Sequence, residues 1–389
     1  MGNTFKMIAK TLAGMENVLG KELEGLGGTD VKVLRRAVEY HGDTNLLYKF
    51  NLNSRYAISI LKPILDFNFT DQQEFYDKMR GFAWDDFFTV EKSIALAAVA
   101  SNSVFTNTHF VAQRAKDAIV DYFRDKVNAR PNVDLENPQI KITIFINRDF
   151  CSVSLDSSGI PLFKRGYRKN PGVAPLSEVL AAGLIALSGW DKESPFYDPM
   201  CGSGTFSIEA ALLARNIAPG SFRNKYSFQN WQDYDPEMWD KLREEAKSSA
   251  TNAPLTIFAS DISNSTMVAA RQNLMEAGLL GQVRLEKKDF FAATPYHQKG
   301  VVFLNPPYGR RLADDNVADI YHKIGSVLKH KFAGFDAWII SPDKTFTHRI
   351  GLRAAAKHNI FNGQLDCQFL GYKLYDGSKK RVISTEGTL

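Results

Sequence analysis

Apolar residues in the first half of the chain recur at two periods, and each period marks a different kind of element. Alternation over 5–9, 31–40, 57–65, 93–101, 140–146 and 151–155 predicts strands, with Pro63 marking 57–65 as an edge strand. Helical spacing over 15–26, 43–51, 72–79 and 108–127 predicts helices; Gly27-Gly28 closes the first and Asp43 stands where it can cap the second. In 108–127, Val111, Ala115, Ala118, Ile119, Tyr122 and Phe123 form one stripe. Arg114, Lys116, Arg124 and Lys126, followed by Arg130, occupy the other face. Strands 140–146 and 151–155 flank Asn147-Arg148-Asp149, a hairpin signature. This half reads as α+β with antiparallel sheet.

From about residue 156 the pattern changes. A turn at 156–159 leads into the basic stretch Phe163-Lys164-Arg165-Gly166-Tyr167-Arg168-Lys169-Asn170-Pro171-Gly172, and a helix follows Pro175 over 177–187. Short, nearly continuous apolar segments then occur at 196–198, 255–261, 283–289, 301–305 and 337–341. Helical stretches such as 207–216, 265–277 and 317–329 separate them, and a polar insertion occupies 219–251. Buried strands alternating with helices predict an α/β, mostly parallel, doubly wound sheet. Segments 361–365 and 369–375 predict an antiparallel hairpin at its edge.

Composition narrows the class. With 389 residues, 44% of them hydrophobic, the chain can bury two or three cores. No stretch reaches the ~18–20 apolar residues of a membrane helix, and Lys6 and Lys10 interrupt any signal-like run, so a soluble cytoplasmic protein is expected. Cys151, Cys201 and Cys367 form neither a disulfide framework nor a zinc spacing, and His41, His297 and His322 join no cluster, so no metal is expected. A net charge of +5 permits a polyanionic partner without requiring one.

The sharpest local chemistry is Asp198-Pro199-Met200-Cys201-Gly202-Ser203-Gly204-Thr205-Phe206, placed where a strand ends and a helix begins. Two glycines two apart let the backbone turn tightly and approach a ligand. A dinucleotide fingerprint would place a third Gly or Ala where Ser207 stands, and a Walker lysine is missing. Asp198, Asp261 and Asp289 each stand at or beside a strand end, positions that line one crevice in a doubly wound sheet. Three acceptors suit a ligand rich in donors: an ammonium, a ribose diol and an adenine amine. That set describes S-adenosylmethionine better than a dinucleotide. Cys201 reads as a space-filler, since the Pro-Cys pair of cytosine C5 chemistry is missing. Trp190 and Trp231 read as core or loop anchors.

A second motif, Asn305-Pro306-Pro307-Tyr308-Gly309, directly follows the apolar run 301–304. An exocyclic base amine is a poor nucleophile because its lone pair is delocalised into the ring. The Asn305 side-chain oxygen and the Pro306 carbonyl can accept its two N–H groups. The prolines hold those acceptors in place beforehand, and Tyr308 offers a ring face to a base taken out of its stack.

These residues carry a family resemblance. From about residue 160 the chain resembles class I, Rossmann-like S-adenosylmethionine-dependent methyltransferases, specifically the bacterial group that modifies guanine N2 in 23S ribosomal RNA. The matching residues are Arg165-Gly166-Tyr167-Arg168, Ala174-Pro175-Leu176, 198–206, Ser260-Asp261 and 305–309. The first half resembles a ferredoxin-like segment (1–60) followed by a THUMP RNA-binding domain (61–157), with the methyltransferase domain over 158–389. The resemblance implies an RNA partner, no metal, and cofactor contacts from Asp198, Met200, Cys201, Gly202, Ser203, Gly204, Thr205, Asp261, Ile262, Asp289, Phe290 and Asn305. It also implies amine presentation by Asn305, Pro306, Pro307 and Tyr308. Arg165, Arg168, Lys169, Arg310, Arg311 and the basic face of 108–127 become candidates for RNA phosphates. An Asn at the motif's first position serves adenine N6 as well as guanine N2. A tRNA guanine-N2 enzyme, an adenine-N6 enzyme and a non-catalytic RNA-binding assembly factor therefore stand as alternatives.

Overall fold

The computed structural model describes residues 4–169, 176–307, 314–342 and 344–375. The chain begins β1 (Phe5–Lys10), α1 (Glu16–Leu26), β2 (Thr29–Leu34), β3 (Ala37–Gly42), α2 (Thr44–Asn53) and β4 (Ser59–Asn68). It continues through α3 (Gln72–Arg80), β5 (Ile94–Ser101), α4 (Thr108–Val127), β6 (Ile140–Asn147), β7 (Phe150–Asp156) and α5 (Glu178–Ser188). Then come β8 (Phe196–Asp198), α6 (Thr205–Ala214), α7 (Pro236–Ser248), β9 (Ile257–Asp261), α8 (Asn264–Glu276) and β10 (Arg284–Lys287). The last are β11 (Gly300–Leu304), α9 (Asp314–Lys331), β12 (Phe335–Ser341), α10 (Lys344–Thr347), β13 (Ala356–Asn362) and β14 (Leu365–Lys373). Two compact units result. One comprises the described residues within 1–171, 176–187 and 211–254; the other those within 188–210 and 255–375.

The first unit is built on a seven-stranded sheet in the order β2-β3-β1-β4-β7-β6-β5. All its pairs are antiparallel except β5 with β6. The Asp43 cap forms as its position predicts, accepting the Leu46 N–H at 2.9 Å. The hairpin about residue 148 also forms, with Arg148 in the left-handed region at φ 58°.

The structure departs from two expectations in this unit and adds a helix within the polar insertion. The single strand over 31–40 is a hairpin, β2 and β3, whose turn places Arg36 at φ 59°. Arg35-Arg36 carries no Gly, Asn or Pro, so nothing in the sequence announces that turn. Pro63 does not mark an edge: β4 lies between β1 and β7, and the register with β7 shifts between Pro63 and Leu65. A bulge accommodates a residue that cannot donate to the ladder, which is how an interior strand tolerates a proline. The polar insertion contains α7, capped by Asp235 with Pro236 in its first turn, and it buries Trp239, Leu242 and Ala246 in the first unit's core. Trp231 joins that core.

The second unit is a seven-stranded sheet in the order β10-β9-β8-β11-β12-β14-β13. Strands β8 to β12 run parallel and β14 and β13 antiparallel, the doubly wound α/β architecture with an added hairpin. The hairpin starts earlier than its apolar residues suggest, and β14 lies inside the sheet while β13 forms the edge. At the opposite edge, β10 is largely exposed, so its charged residues replace the apolar run expected over 283–289. Trp190 anchors a loop, donating Nε1–H to the Ser194 carbonyl at 2.9 Å with its ring edge against Phe196.

Candidate active site at the strand order reversal

The chain leaves β8 toward β9 and β10, then returns to lay β11 and β12 on β8's other side. Such a reversal opens a crevice at the carboxyl ends of the strands. Three registers fix what stands there. Asp198 is level with Ala259, so Asp261 lies two residues beyond it, and Lys287 is level with Asp261, so Asp289 lies two further. Val302 is level with Tyr197, which brings Asn305 to the height of Met200. The sequence-predicted acids, the glycine turn and Asn305 thus share one rim.

Gly202 and Gly204 adopt φ 53° and 81°, values an L side chain rarely takes. The turn is tied down along its length. Cys201 N–H donates to the Ser260 carbonyl at 2.9 Å and Gly204 N–H to the Cys201 carbonyl at 2.8 Å. Asp261 Oδ2 accepts the Gly202 N–H at 3.0 Å, while its Oδ1 accepts the Ser263 N–H at 2.9 Å. Asn273 of α8 donates from Nδ2 to the Ser203 carbonyl at 3.0 Å.

Asp198 is 1% exposed, and Ser207 Oγ donates to its Oδ2 at 2.8 Å. Its Oδ1 is buried with no hydrogen-bond partner. Burial pushes its pKa up to about 7, with the negative Asp261 adding to the rise and the Ser207 hydrogen bonds opposing it. Burial also pushes the Cys201 thiol well above its ordinary value, so Cys201 fills space and carries no thiolate. Ile262, directly after Asp261, is 65% exposed, an apolar surface at the rim. Asp289 caps the short turn that follows it by accepting the Phe291 N–H at 2.9 Å. The Phe290 ring lies in the core against Phe291 and Phe332, leaving only its backbone for a ligand. Met200 is half-buried against the same core, and Thr205 is buried at the start of α6.

Asn305 follows β11 with its Oδ1 buried and unpartnered; Pro306 is buried and Pro307 exposed. Tyr308, Gly309, Arg310 and Arg311 lie outside the described residues, as do 170–175.

Residues 165–370 match the family described as UPF0020, an RMKL-like methyltransferase domain; 69–156 match the THUMP domain and 6–61 the RlmL ferredoxin-like domain. The chain belongs to this methyltransferase family. A relative from Synechocystis sp., named "Putative RNA methyltransferase", is 39% identical over 371 residues, covering 94% of this chain and 96% of its own. The Ribosomal RNA large subunit methyltransferase K/L of Methylococcus capsulatus is 36% identical over 393 residues, covering 99% of this chain. The chain spans about half of that relative, 53% of its length. A crystal structure described as "a putative methyltransferase complexed with SAH" superposes with a TM-score of 0.87 at 30% identity, covering 97% of this chain and all of the other.

The cofactor of this methyltransferase is S-adenosylmethionine, and the rim fits it. An unpartnered buried carboxylate oxygen on Asp198 suits an ammonium. A turn built on two left-handed glycines leaves room for close approach. Each Asp261 oxygen that already accepts a backbone N–H retains a lone pair for a hydroxyl. Among the described residues, no group of three His, Cys, Asp or Glu side chains is placed to hold a metal, and no helix is long and apolar enough to cross a membrane.

Two groups of cations expected at phosphates are engaged otherwise. Arg165 is 1% exposed, its guanidinium donating to the carbonyls of Ser54, Arg55 and Leu162. Arg168 pairs with Glu178 at 2.8 Å and donates to the Leu176 carbonyl. On α4, Arg114 lies over Tyr76 and donates to Gln73, Lys116 pairs with Asp117, Arg124 pairs with Asp121 at 2.6 Å, and Lys126 pairs with Asp85 at 2.6 Å. The helix's basic face is largely neutralised by its own neighbours. Sequence reasoning passed over Asn273 and the Ser207 contact. The visible signals were an amide at helical spacing from Ala270 and Ala277, and a hydroxyl at the position of the third glycine.

Proposed function

We propose that the chain methylates an exocyclic amine of an RNA base, guanine N2 in 23S ribosomal RNA. The observation that carries the reading is Asn305: a buried, unpartnered amide oxygen at the carboxyl end of β11, on the rim shared with the cofactor acids. Support for RNA comes from the THUMP match and from the names of the Synechocystis and Methylococcus relatives.

Asp198 Oδ1 takes the cofactor's ammonium, Asp261 its ribose hydroxyls and Asp289 its adenine amine, beside the exposed apolar surface of Ile262. When bound, the cofactor supplies an electrophilic methyl group. Asn305 Oδ1 accepts one N–H of the target amine and the Pro306 carbonyl the other, which biases the planar nitrogen toward a pyramidal shape and frees its lone pair. Pro306-Pro307 keep those acceptors from needing to be ordered at the moment of reaction. A second N–H acceptor rather than a titrating base is what the motif supplies. The surplus proton therefore stays on the methylated nitrogen, which transfer has made acidic, hydrogen-bonded to the same oxygens until water takes it.

The test is transfer of labelled methyl from S-adenosylmethionine to unmethylated 23S ribosomal RNA and, separately, to a tRNA pool, with nucleosides resolved by mass spectrometry. N2-methylguanosine in 23S RNA supports the reading. The same product in tRNA alone, or N6-methyladenosine, replaces it, and no incorporation into any RNA removes it.

A further inference from the structure

Asn273 lies about two and a half turns into α8 and is fully buried. An amide there must justify its burial by its partners. Its Nδ2 has one, the Ser203 carbonyl, 70 residues away in sequence; its Oδ1 has none. Ala270, one turn earlier on the same face, lies beneath Gly204, where a Cβ added to the glycine would sit 3.5 Å from the alanine Cβ. Asp261, just before α8, holds the Gly202 N–H. The β9–α8 segment therefore meets three consecutive residues of the turn: hydrogen bonds grip Gly202 and Ser203, and Ala270 stands beside Gly204.

The middle grip sets an orientation. With its carbonyl tied to Asn273, the Ser203–Gly204 peptide is held with C=O toward α8, and its N–H points to the Cys201 carbonyl. A glycine-flanked peptide is otherwise the one best able to flip. A flipped plane would aim the Ser203 carbonyl at the Cys201 carbonyl, oxygen against oxygen, and break the turn that the cofactor must approach.

We propose that Asn273 is a positioning residue for the cofactor: by fixing the Ser203–Gly204 peptide plane it sets the affinity of the glycine turn for S-adenosylmethionine, while touching no reacting atom. The inference rests on the cofactor and is independent of which base accepts the methyl group.

The experiment uses the full chain as wild type, Asn273→Leu and Asn273→Asp. S-adenosylhomocysteine binding is measured by calorimetry, together with the melting temperature of the free protein and the kcat and KM for S-adenosylmethionine. Leucine keeps the volume and removes the donor. The product's Kd and the cofactor's KM should rise about tenfold, the effect of one lost buried hydrogen bond, while kcat at saturation stays within about twofold. Aspartate donates only when protonated. The ratio of its Kd to the wild-type Kd should therefore approach one at pH 5 and grow toward pH 8. Taking the ratio at each pH removes titrations common to both proteins, that of Asp198 included. A folded Asn273→Leu protein with wild-type Kd overturns the proposal, as does a loss of kcat at unchanged Kd. If the leucine variant does not fold, the aspartate series decides, and a ratio that is flat with pH overturns the proposal.

Discussion

Asp261 and Gly202, 59 residues apart, are joined by one hydrogen bond of 3.0 Å from the glycine N–H to the Asp261 carboxylate. The acid ending β9 and the turn following β8 are therefore a single construction. Its other oxygen accepts the Ser263 N–H at the head of α8. Asp261 braces the turn, and its proposed second role is that of an acceptor for the cofactor in the crevice beside it.

Asp261→Ala should weaken S-adenosylhomocysteine binding by about 10²-fold, since two charge-assisted hydrogen bonds and a ligand acceptor are lost together. Turnover at saturating cofactor should be much less affected. Calorimetry reads the outcome, and an unchanged Kd would remove Asp261 from the site.

Asn305→Ala should behave in the opposite way. Losing one preorganised polar group at the reacting centre lowers kcat by roughly 10²–10³. S-adenosylhomocysteine affinity should stay within a few-fold, because the role proposed for Asn305 is to hold the amine. Single-turnover methyl transfer with cofactor in excess separates the two. Affinity that collapses while transfer per bound complex survives would assign Asn305 to cofactor binding instead.

The crevice was legible in the sequence because each of its parts is local: a short apolar run, an acid at its end, a turn of small residues or prolines. What pairing decides was not. Pro63 looks like an edge residue until β7 arrives on its other side and the bulge absorbs it. Trp239, Leu242 and Ala246 sit at helical spacing behind an Asp-Pro start, yet the charge around them hides the stripe. Asn273 could be recognised only once Ser203 was known to lie against it. Charge carried the least information, since nothing in Phe163–Lys169 distinguishes a guanidinium under carbonyls from one in water.

Arg165→Met tests that last point. The methionine keeps much of the buried stem and strips the carbonyls of Ser54, Arg55 and Leu162 of a cationic donor. Stranded buried acceptors cost roughly 1–3 kcal/mol, so the melting temperature should fall by roughly 3–10 °C. RNA affinity measured below the transition should keep its dependence on salt. A stable variant whose log K against log salt slope drops by about one would instead place Arg165 on a phosphate.

Asp198 should make folding and cofactor binding depend on pH in opposite directions. Its folded pKa of about 7 lies above the ordinary carboxyl value of 3.8, chiefly through burial. Below the unfolded value both states hold the proton and the group is neutral to stability. Between the two values the unfolded chain has released its proton while the folded protein retains it, so stability falls as pH rises, by ~1.4 kcal/mol per unit. Above about 7 the loss is complete. Asp198→Asn should therefore melt at a higher temperature than wild type at pH 8, and the difference should vanish toward pH 4. An ammonium against Oδ1 stabilises the charged form, so binding in the same interval expels a proton. Wild-type affinity for S-adenosylhomocysteine should climb up to tenfold per unit as pH rises toward 7 and then level off. Calorimetry in buffers of different ionisation enthalpy should register the released proton, and the asparagine variant should show weak, pH-flat binding. A wild-type Kd that does not change between pH 5 and 8 would mean that Asp198 stays protonated beneath the turn and supports the site through Ser207 alone.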